Sequence, residues 1–131
     1  MTDTESPKQR TILVAEDEST LRGILVDMIH QGGFLTVEAA DGQESLDRAL
    51  REHPDLILLN ILMPKMDGLS VLRKLSEDAW GANVPVIVLS NVDPDSRELE
   101  EMDTYKAAYY LIKTKVSLED IMKKIREVLG V

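Results

Sequence analysis

Five short apolar runs alternate along this chain with five segments of helical periodicity, and this alternation limits the possible folds more than any other feature. Between the runs, apolar residues recur at intervals of three and four, which predicts a helix after each run. The runs themselves predict buried strands, and they are TILVA (11–15), FLTVEA (34–39), DLILL (55–59), VPVIVL (84–89) and YYLI (109–112). Strands that alternate with helices pair in parallel through right-handed crossovers, with helices on both faces of the sheet. The sequence therefore predicts a doubly wound α/β domain.

Length and composition favour a single domain over residues 11–131. With 131 residues, of which 44% are hydrophobic, the chain can bury one core of ordinary size and is short for two. The first ten residues, MTDTESPKQR, are polar and lack the apolar centre of a signal peptide. We therefore expect residues 1–10 to form a disordered lead-in.

Charge and residue types exclude several classes of function. A formal net charge of -9 argues against a nucleic-acid surface, because a phosphate backbone attracts clustered lysine and arginine. No apolar run is long enough to span a bilayer, so we expect no membrane partner. The chain has no cysteine, which excludes disulfides and thiolate metal sites and fits a cytoplasmic protein.

The carboxyl ends of the predicted strands carry the chemically useful groups. Glu16 and Asp17 follow the first run, Asn60 the third, Ser90 the fourth and Lys113 the fifth. Each alone has an ordinary explanation as a helix cap or a solvated charge. In a doubly wound sheet, however, the functional crevice lies at this edge, where strands one, three and five converge, so we expect Glu16, Asp17, Asn60 and Lys113 to meet. Two acids with a backbone oxygen suit Mg²⁺, and a lysine and a hydroxyl beside them would hold a phosphoryl group.

Four stretches resemble, in order and spacing, the receiver domain of two-component response regulators, especially the chemotaxis-regulator type. They are ILVAEDE, PDLILLNILMPKMDG, PVIVLSN and YYLIK, and the resemblance extends from Thr11 to Val131. It implies a flavodoxin-like fold with five helices and strand order 2-1-3-4-5. It also implies a sensor histidine kinase or phosphotransfer protein as donor, and an output partner on the face of helix four, strand five and helix five. Such a domain is a signalling receiver and not a conventional enzyme, although family members catalyse their own phosphorylation.

The resemblance assigns a metal site to four positions. Glu16 and Asp17 correspond to the acidic pair, with Asp17 expected to contact Mg²⁺ directly. The side chain at Asn60 and the backbone carbonyl of Leu62 complete the implied set of ligands.

Three further residues are implied to contact phosphate or to report its presence. Ser90 and Lys113 correspond to the phosphate-contacting hydroxyl and lysine, and Ser90 with Tyr110 corresponds to the switch pair. Since no acyl phosphate would draw Ser90 inward, we expect Tyr110 to be turned outward.

Asn60 is the main departure from the family pattern, because the family has its phosphoacceptor aspartate at this position. An amide oxygen is a poor nucleophile, so we expect no phosphorylation in the family's manner and a weakened Mg²⁺ site. Two origins stay open: an engineered change of aspartate to asparagine, or a natural pseudo-receiver that signals by binding alone.

Two rival functions were weighed against the receiver. A phosphatase with Asp17 as its nucleophile is the enzymatic alternative, although such enzymes normally carry a second acid two residues later, where this chain has Ser19. A flavin site is disfavoured, because the acids of EDEST would repel a phosphate.

Three details of the second half of the chain carry structural expectations. The segment SRELEEMDTYK has few apolar residues, so helix four should be the least anchored helix. Lys106 stands where the family usually has glycine, and left-handed backbone there would cost about 1–2 kcal/mol. Thr114 stands where the family usually has a proline after a cis bond, and we expect a trans bond.

Overall fold

The predicted strands and helices form a five-stranded parallel sheet covered on both faces. The computed structural model describes residues 9–91 and 93–131, so most of the predicted lead-in over 1–10 lies outside the described residues. The elements are β1 (Thr11–Ala15), α1 (Ser19–Gln31), β2 (Leu35–Ala39), α2 (Gly42–Glu52), β3 (Leu56–Asn60), α3 (Gly68–Ser76), β4 (Val86–Ser90), α4 (Ser96–Thr104), β5 (Tyr109–Ile112) and α5 (Leu118–Leu129). The strand order is β2-β1-β3-β4-β5, which confirms the predicted flavodoxin-like fold. None of the helices in the described ranges is long and apolar enough to cross a membrane.

The third and fourth strands extend one residue further than predicted. Asn60 pairs with Leu89, and Ser90 pairs with Ile112, so both polar residues end a strand instead of following one. Backbone pairing needs only N–H and C=O groups, which is why the end of an apolar run underestimates the length of a strand. The backbone at Asn60 and Ser90 is therefore held in place by pairing with the neighbouring strand, and this fixes where their side chains begin.

Side chains on the two faces of the sheet form separate core clusters. On β1, Leu13 belongs to the cluster on one face, while Ile12 and Val14 belong to the cluster on the other. The helices α2 and α3 and one residue of α4 complete the first cluster, and α1 and α5 complete the second. Every residue of β3 and β4 is buried, as expected for central strands covered on both faces.

The helix α4 is the least anchored, as predicted. It buries only Met102, whereas each other helix buries two or more residues. It is followed by Lys106, whose φ of 61° is left-handed, so the steric cost of such a backbone at a residue other than glycine applies here. The bond before Thr114 is trans, as predicted, since no peptide bond in the described ranges is cis.

The amino-terminal edge of the sheet carries an aromatic stack. His53 follows α2 with a left-handed backbone, and its ring centre lies 4.2 Å from that of Trp80, with 6° between the ring planes. Trp80 belongs to the connection between α3 and β4 and is partly buried against the first core cluster. The stack therefore joins this connection to the end of α2.

Candidate functional site

A polar crevice lies at the carboxyl edge of β1, β3 and β5. It consists of the side chains of Glu16, Asp17, Asn60 and Lys113 and the carbonyl of Leu62, which contact one another directly. The winding of the sheet changes direction beside β1, and doubly wound sheets place their sites at such a point. The structure thus brings together the residues that the sequence predicted at one rim.

The carboxylate of Glu16 is buried and paired with Lys113. The distance from Lys113 Nζ to Glu16 Oε1 is 2.8 Å, and the two side chains are 15% and 2% exposed. The backbone N–H of Glu18 donates to the other oxygen, Oε2, at 3.1 Å. Since a buried charge is costly without such partners, these contacts hold Glu16 and Lys113 in one arrangement.

The amide nitrogen of Asn60 lies among three oxygen atoms. It donates to Asp17 Oδ1 and to the carbonyl of Leu62, each at 2.9 Å, and it lies 3.4 Å from Glu16 Oε2. All three neighbours are acceptors, so the reverse orientation would place the amide oxygen against other oxygens. The geometry therefore fixes which end of this amide points into the crevice.

The loop between β3 and α3 positions the Leu62 carbonyl, and close backbone approaches hold this loop on both sides. At one side, a Cβ on Gly42 would lie 1.7 Å from the carbonyl oxygen of Met66. At the other, the N–H of Gly68 donates to Ile61 O at 2.7 Å, and a Cβ on Gly68 would lie 2.5 Å from the backbone oxygen of Asn60. Only glycine allows such approaches.

Sequence reasoning did not identify these two glycines. The available signal was a pair of Asp-Gly steps, Asp41-Gly42 and Asp67-Gly68, each directly before a helix. Both aspartates cap their helices, and the backbone N–H of Glu44 lowers the pKa of Asp41 from its ordinary value, helped by the Lys65 ammonium. Each pair thus begins a helix and also fixes the loop that faces the crevice.

Tyr110 is partly buried against the core, so the expectation of a fully outward ring is wrong. Ser90 is fully buried at the end of β4, and Tyr110 packs against the first core cluster. Burial raises the pKa of the Tyr110 hydroxyl, while its hydrogen bond with Ser90 opposes that rise. This packing of the ring against the core does not need a phosphoryl group.

The sequence matches a known family over most of its length. The model of the response regulator receiver domain matches residues 12–126. The chain belongs to this family. Among its curated relatives, a probable transcriptional regulator, ycf27, of Porphyridium aerugineum is 34% identical over 122 residues, which are 93% of this chain and 49% of the relative. The transcriptional regulatory protein PdtaR of Mycobacterium tuberculosis is 32% identical over 125 residues, 95% of this chain and 58% of the relative. This receiver domain thus spans about half the length of these relatives.

Solved receiver domains have the same fold. A CheY-like receiver domain protein of Methanospirillum hungatei has a TM-score of 0.86 and 22% identity, covering 94% of this chain and 95% of its own. The receiver domain of a sensor histidine kinase of Pseudomonas aeruginosa, solved with a magnesium ion coordinated in its active-site cleft, has a TM-score of 0.83 and 23% identity, covering 95% and 100%. At these identities, the likeness establishes the fold alone.

The oxygen atoms around Asn60 are of the type that binds Mg²⁺ in proteins. Two carboxylates and a backbone carbonyl, from Glu16, Asp17 and Leu62, converge there, and Mg²⁺ prefers such ligands. The amide nitrogen of Asn60 already lies among them, so these residues could hold the cation only after that nitrogen turned away. Within residues 9–91 and 93–131, no group of three or more acidic, histidine or cysteine side chains is arranged to hold a metal ion.

Proposed function

We propose that this receiver domain, which covers residues 11–131, acts in two-component signal transduction without being phosphorylated, because Asn60 occupies the position of the acceptor aspartate. The observation that supports this most directly is the inward amide nitrogen of Asn60, which donates to Asp17 and Leu62. A carboxylate at position 60 could only accept hydrogen bonds. An amide also lacks the carboxylate's route to an acyl phosphate, so asparagine at position 60 is enough to prevent phosphorylation there.

The other residues suited to phosphoryl chemistry are still present. We assign phosphate contacts to Ser90 and Lys113 and the switch to Ser90 and Tyr110. The packing of Tyr110 against the first core cluster supports a resting arrangement that does not depend on phosphorylation. If Asn60 is native, the domain signals by binding alone; if it is engineered, the change holds the domain in its unphosphorylated state.

Mg²⁺ should bind this crevice more weakly than it would bind an Asn60→Asp form. Glu16 and Asp17 contribute two negative charges and Lys113 one positive charge, which leaves a net charge of -1. An aspartate at position 60 would make it -2. Two unit charges about 4 Å apart interact by about 4 kcal/mol in a surface-like dielectric, and the cost of removing the extra carboxylate from water offsets part of that gain.

The partners we propose are a sensor histidine kinase or phosphotransfer protein at the crevice and an output partner on α4, β5 and α5. Two leucines of the output face are largely exposed, Leu99 of α4 by 50% and Leu118 of α5 by 41%. Together with the weak anchoring of α4, they support a surface that adapts to a partner in the cytoplasm. Names of the relatives, such as transcriptional regulatory protein, are consistent with an output that controls transcription.

Treatment with acetyl phosphate and Mg²⁺ tests the proposal, with the mass of the intact protein as the measurement. The unaltered chain should gain no phosphoryl group. The Asn60→Asp variant should gain one that hydroxylamine removes, because Glu16, Asp17, Ser90 and Lys113 are already in place.

Three outcomes would contradict parts of this proposal. Phosphorylation of the unaltered chain would contradict the proposal, and phosphorylation on Asp17 would favour the phosphatase alternative. If Asn60→Asp stays unlabelled, the crevice has changed beyond one residue, and the assigned roles of Ser90 and Lys113 are wrong.

A further inference from the structure

We infer that the Asn60 amide is an internal substitute for a divalent cation, so that the crevice is structurally complete without metal. This inference rests on the proposed function, since it takes the crevice to be a receiver site whose acids would otherwise hold Mg²⁺. It adds that the amide satisfies those acids and fixes the adjoining loop. The domain should then keep its resting shape whether or not Mg²⁺ is available.

The first step is the match between donors and acceptors. An asparagine amide nitrogen has two N–H groups, and Asn60 has two short contacts, both of 2.9 Å, to Asp17 Oδ1 and the Leu62 carbonyl. The third contact, 3.4 Å to Glu16 Oε2, is longer, and Glu16 receives its main donors from Lys113 and the Glu18 N–H. Every acceptor that faces the amide therefore has a donor.

The second step is burial. Asn60 is 6% exposed and Glu16 is 2% exposed, whereas Asp17 and Leu62 are exposed residues, so it is the Asn60 nitrogen, and not its two acceptors, that water cannot easily reach. An unsatisfied buried donor is destabilising. A cation that entered would have to displace the Asn60 nitrogen and break its bonds to Asp17 and Leu62 before making its own.

The third step concerns the loop of residues 61–67. The bond from Asn60 Nδ2 to Leu62 O ties this loop to the end of β3. An aspartate cannot donate to that carbonyl, and it would add a third carboxylate beside Glu16 and Asp17. An Asn60→Asp chain should therefore need a cation to hold the Leu62 carbonyl and to offset the charge of the three carboxylates.

Thermal unfolding with a chelator and with excess Mg²⁺ is the first test. The melting temperature of the unaltered chain should be the same in both solutions. The melting temperature of Asn60→Asp in chelator should be lower than that of the unaltered chain. It should rise by several degrees in excess Mg²⁺, because a ligand stabilises the state that binds it.

A matched control is available at the other edge of the sheet. Asn83 is exposed, and its amide nitrogen donates to the Ala79 carbonyl at 3.1 Å. Asn83→Asp therefore adds the same charge and removes a similar amide bond. Its melting temperature should be as insensitive to Mg²⁺ as that of the unaltered chain.

The second test is the side-chain amide resonance of Asn60 in a ¹⁵N-labelled chain, identified by its loss in Asn60→Asp. Its protons should exchange slowly with water, and the signal should not move on addition of Mg²⁺. The same Mg²⁺-dependent stabilisation in the unaltered chain and in Asn60→Asp, or an Asn60 signal that shifts with Mg²⁺, would overturn the inference. Failure of Asn60→Asp to gain stability from Mg²⁺ would overturn it too. Labelling of the unaltered chain by acetyl phosphate would instead contradict the proposed function, so the two failures are distinguishable.

Discussion

The crevice and the α4–β5 region of this receiver domain differ in how firmly they are held. In the crevice, the polar atoms have partners within the chain and the adjoining loop is fixed by backbone contacts at Gly42 and Gly68. The helix α4 has one buried residue, Met102, and is followed by a strained backbone at Lys106. The region suited to chemistry is therefore preorganised, while the region suited to partners can move at little cost.

The largest effect should follow from Gly42→Ala, which disturbs the loop beside the crevice, the more rigid of the two regions. The new Cβ would lie 1.7 Å from Met66 O and 2.5 Å from Met66 C, and these backbone atoms cannot rotate aside. We expect the free energy of unfolding to fall by about 3 kcal/mol, as for severe overpacking, in chemical denaturation.

The control for this change is Gly23→Ala in the exposed part of α1. Apart from its chain neighbours and the nearby backbone of α1 itself, no heavy atom of the described residues lies within 4 Å of a Cβ added there, and alanine favours a helix over glycine by about 1 kcal/mol. If both variants changed stability equally, the loop would not be fixed as described.

A smaller and more local effect should follow from Met102→Ala. Loss of the single buried side chain of α4 should cost about 2 kcal/mol, and amide hydrogen exchange should show protection falling in α4 while β1 and β3 keep theirs. Leu99→Ala is the control, because Leu99 is on the same helix and is 50% exposed. An equal loss of protection in all three elements would mean that α4 is not a separate unit.

The smallest effect should be a gain, from Lys106→Gly. Glycine adopts the φ of 61° found at this position without the steric cost of a side chain, although its greater freedom in the unfolded chain offsets part of the benefit. We expect a stabilisation of about 1 kcal/mol or less, measured by thermal unfolding. Lys106→Ala is the control, because it removes the charge of the side chain but keeps the backbone strain. An equal gain in stability from Lys106→Ala would contradict this account.

The sequence predicted the fold and the membership of the crevice because both follow from chain order. Alternating strands and helices dictate a doubly wound sheet, and the residues that end β1, β3 and β5 must then share an edge. That is why Glu16, Asp17, Asn60 and Lys113 could be placed together before any coordinates were known. Their chemical roles stay predictions until the labelling experiment is done.

Side-chain direction could not be predicted in the same way. Tyr110 was expected outward on the assumption that only a phosphoryl group draws Ser90 and the ring together. Packing against the first core cluster keeps the ring partly buried instead. The orientation of the Asn60 amide likewise depends on the Leu62 carbonyl, whose position is set by a loop with no periodic pattern.

The stack of His53 on Trp80 determines what optical measurements on this protein will report. Trp80 is the single tryptophan of the chain, and its stack lies where α2 leads into β3 and α3 leads into β4, at the end of the sheet opposite the crevice. Its emission will follow unfolding of the domain and any loss of contact with the His53 ring. Cation binding near Asn60 takes place at the opposite end of the sheet and should not change the emission of Trp80. Fluorescence can therefore follow thermal unfolding, but it cannot measure cation binding in the crevice.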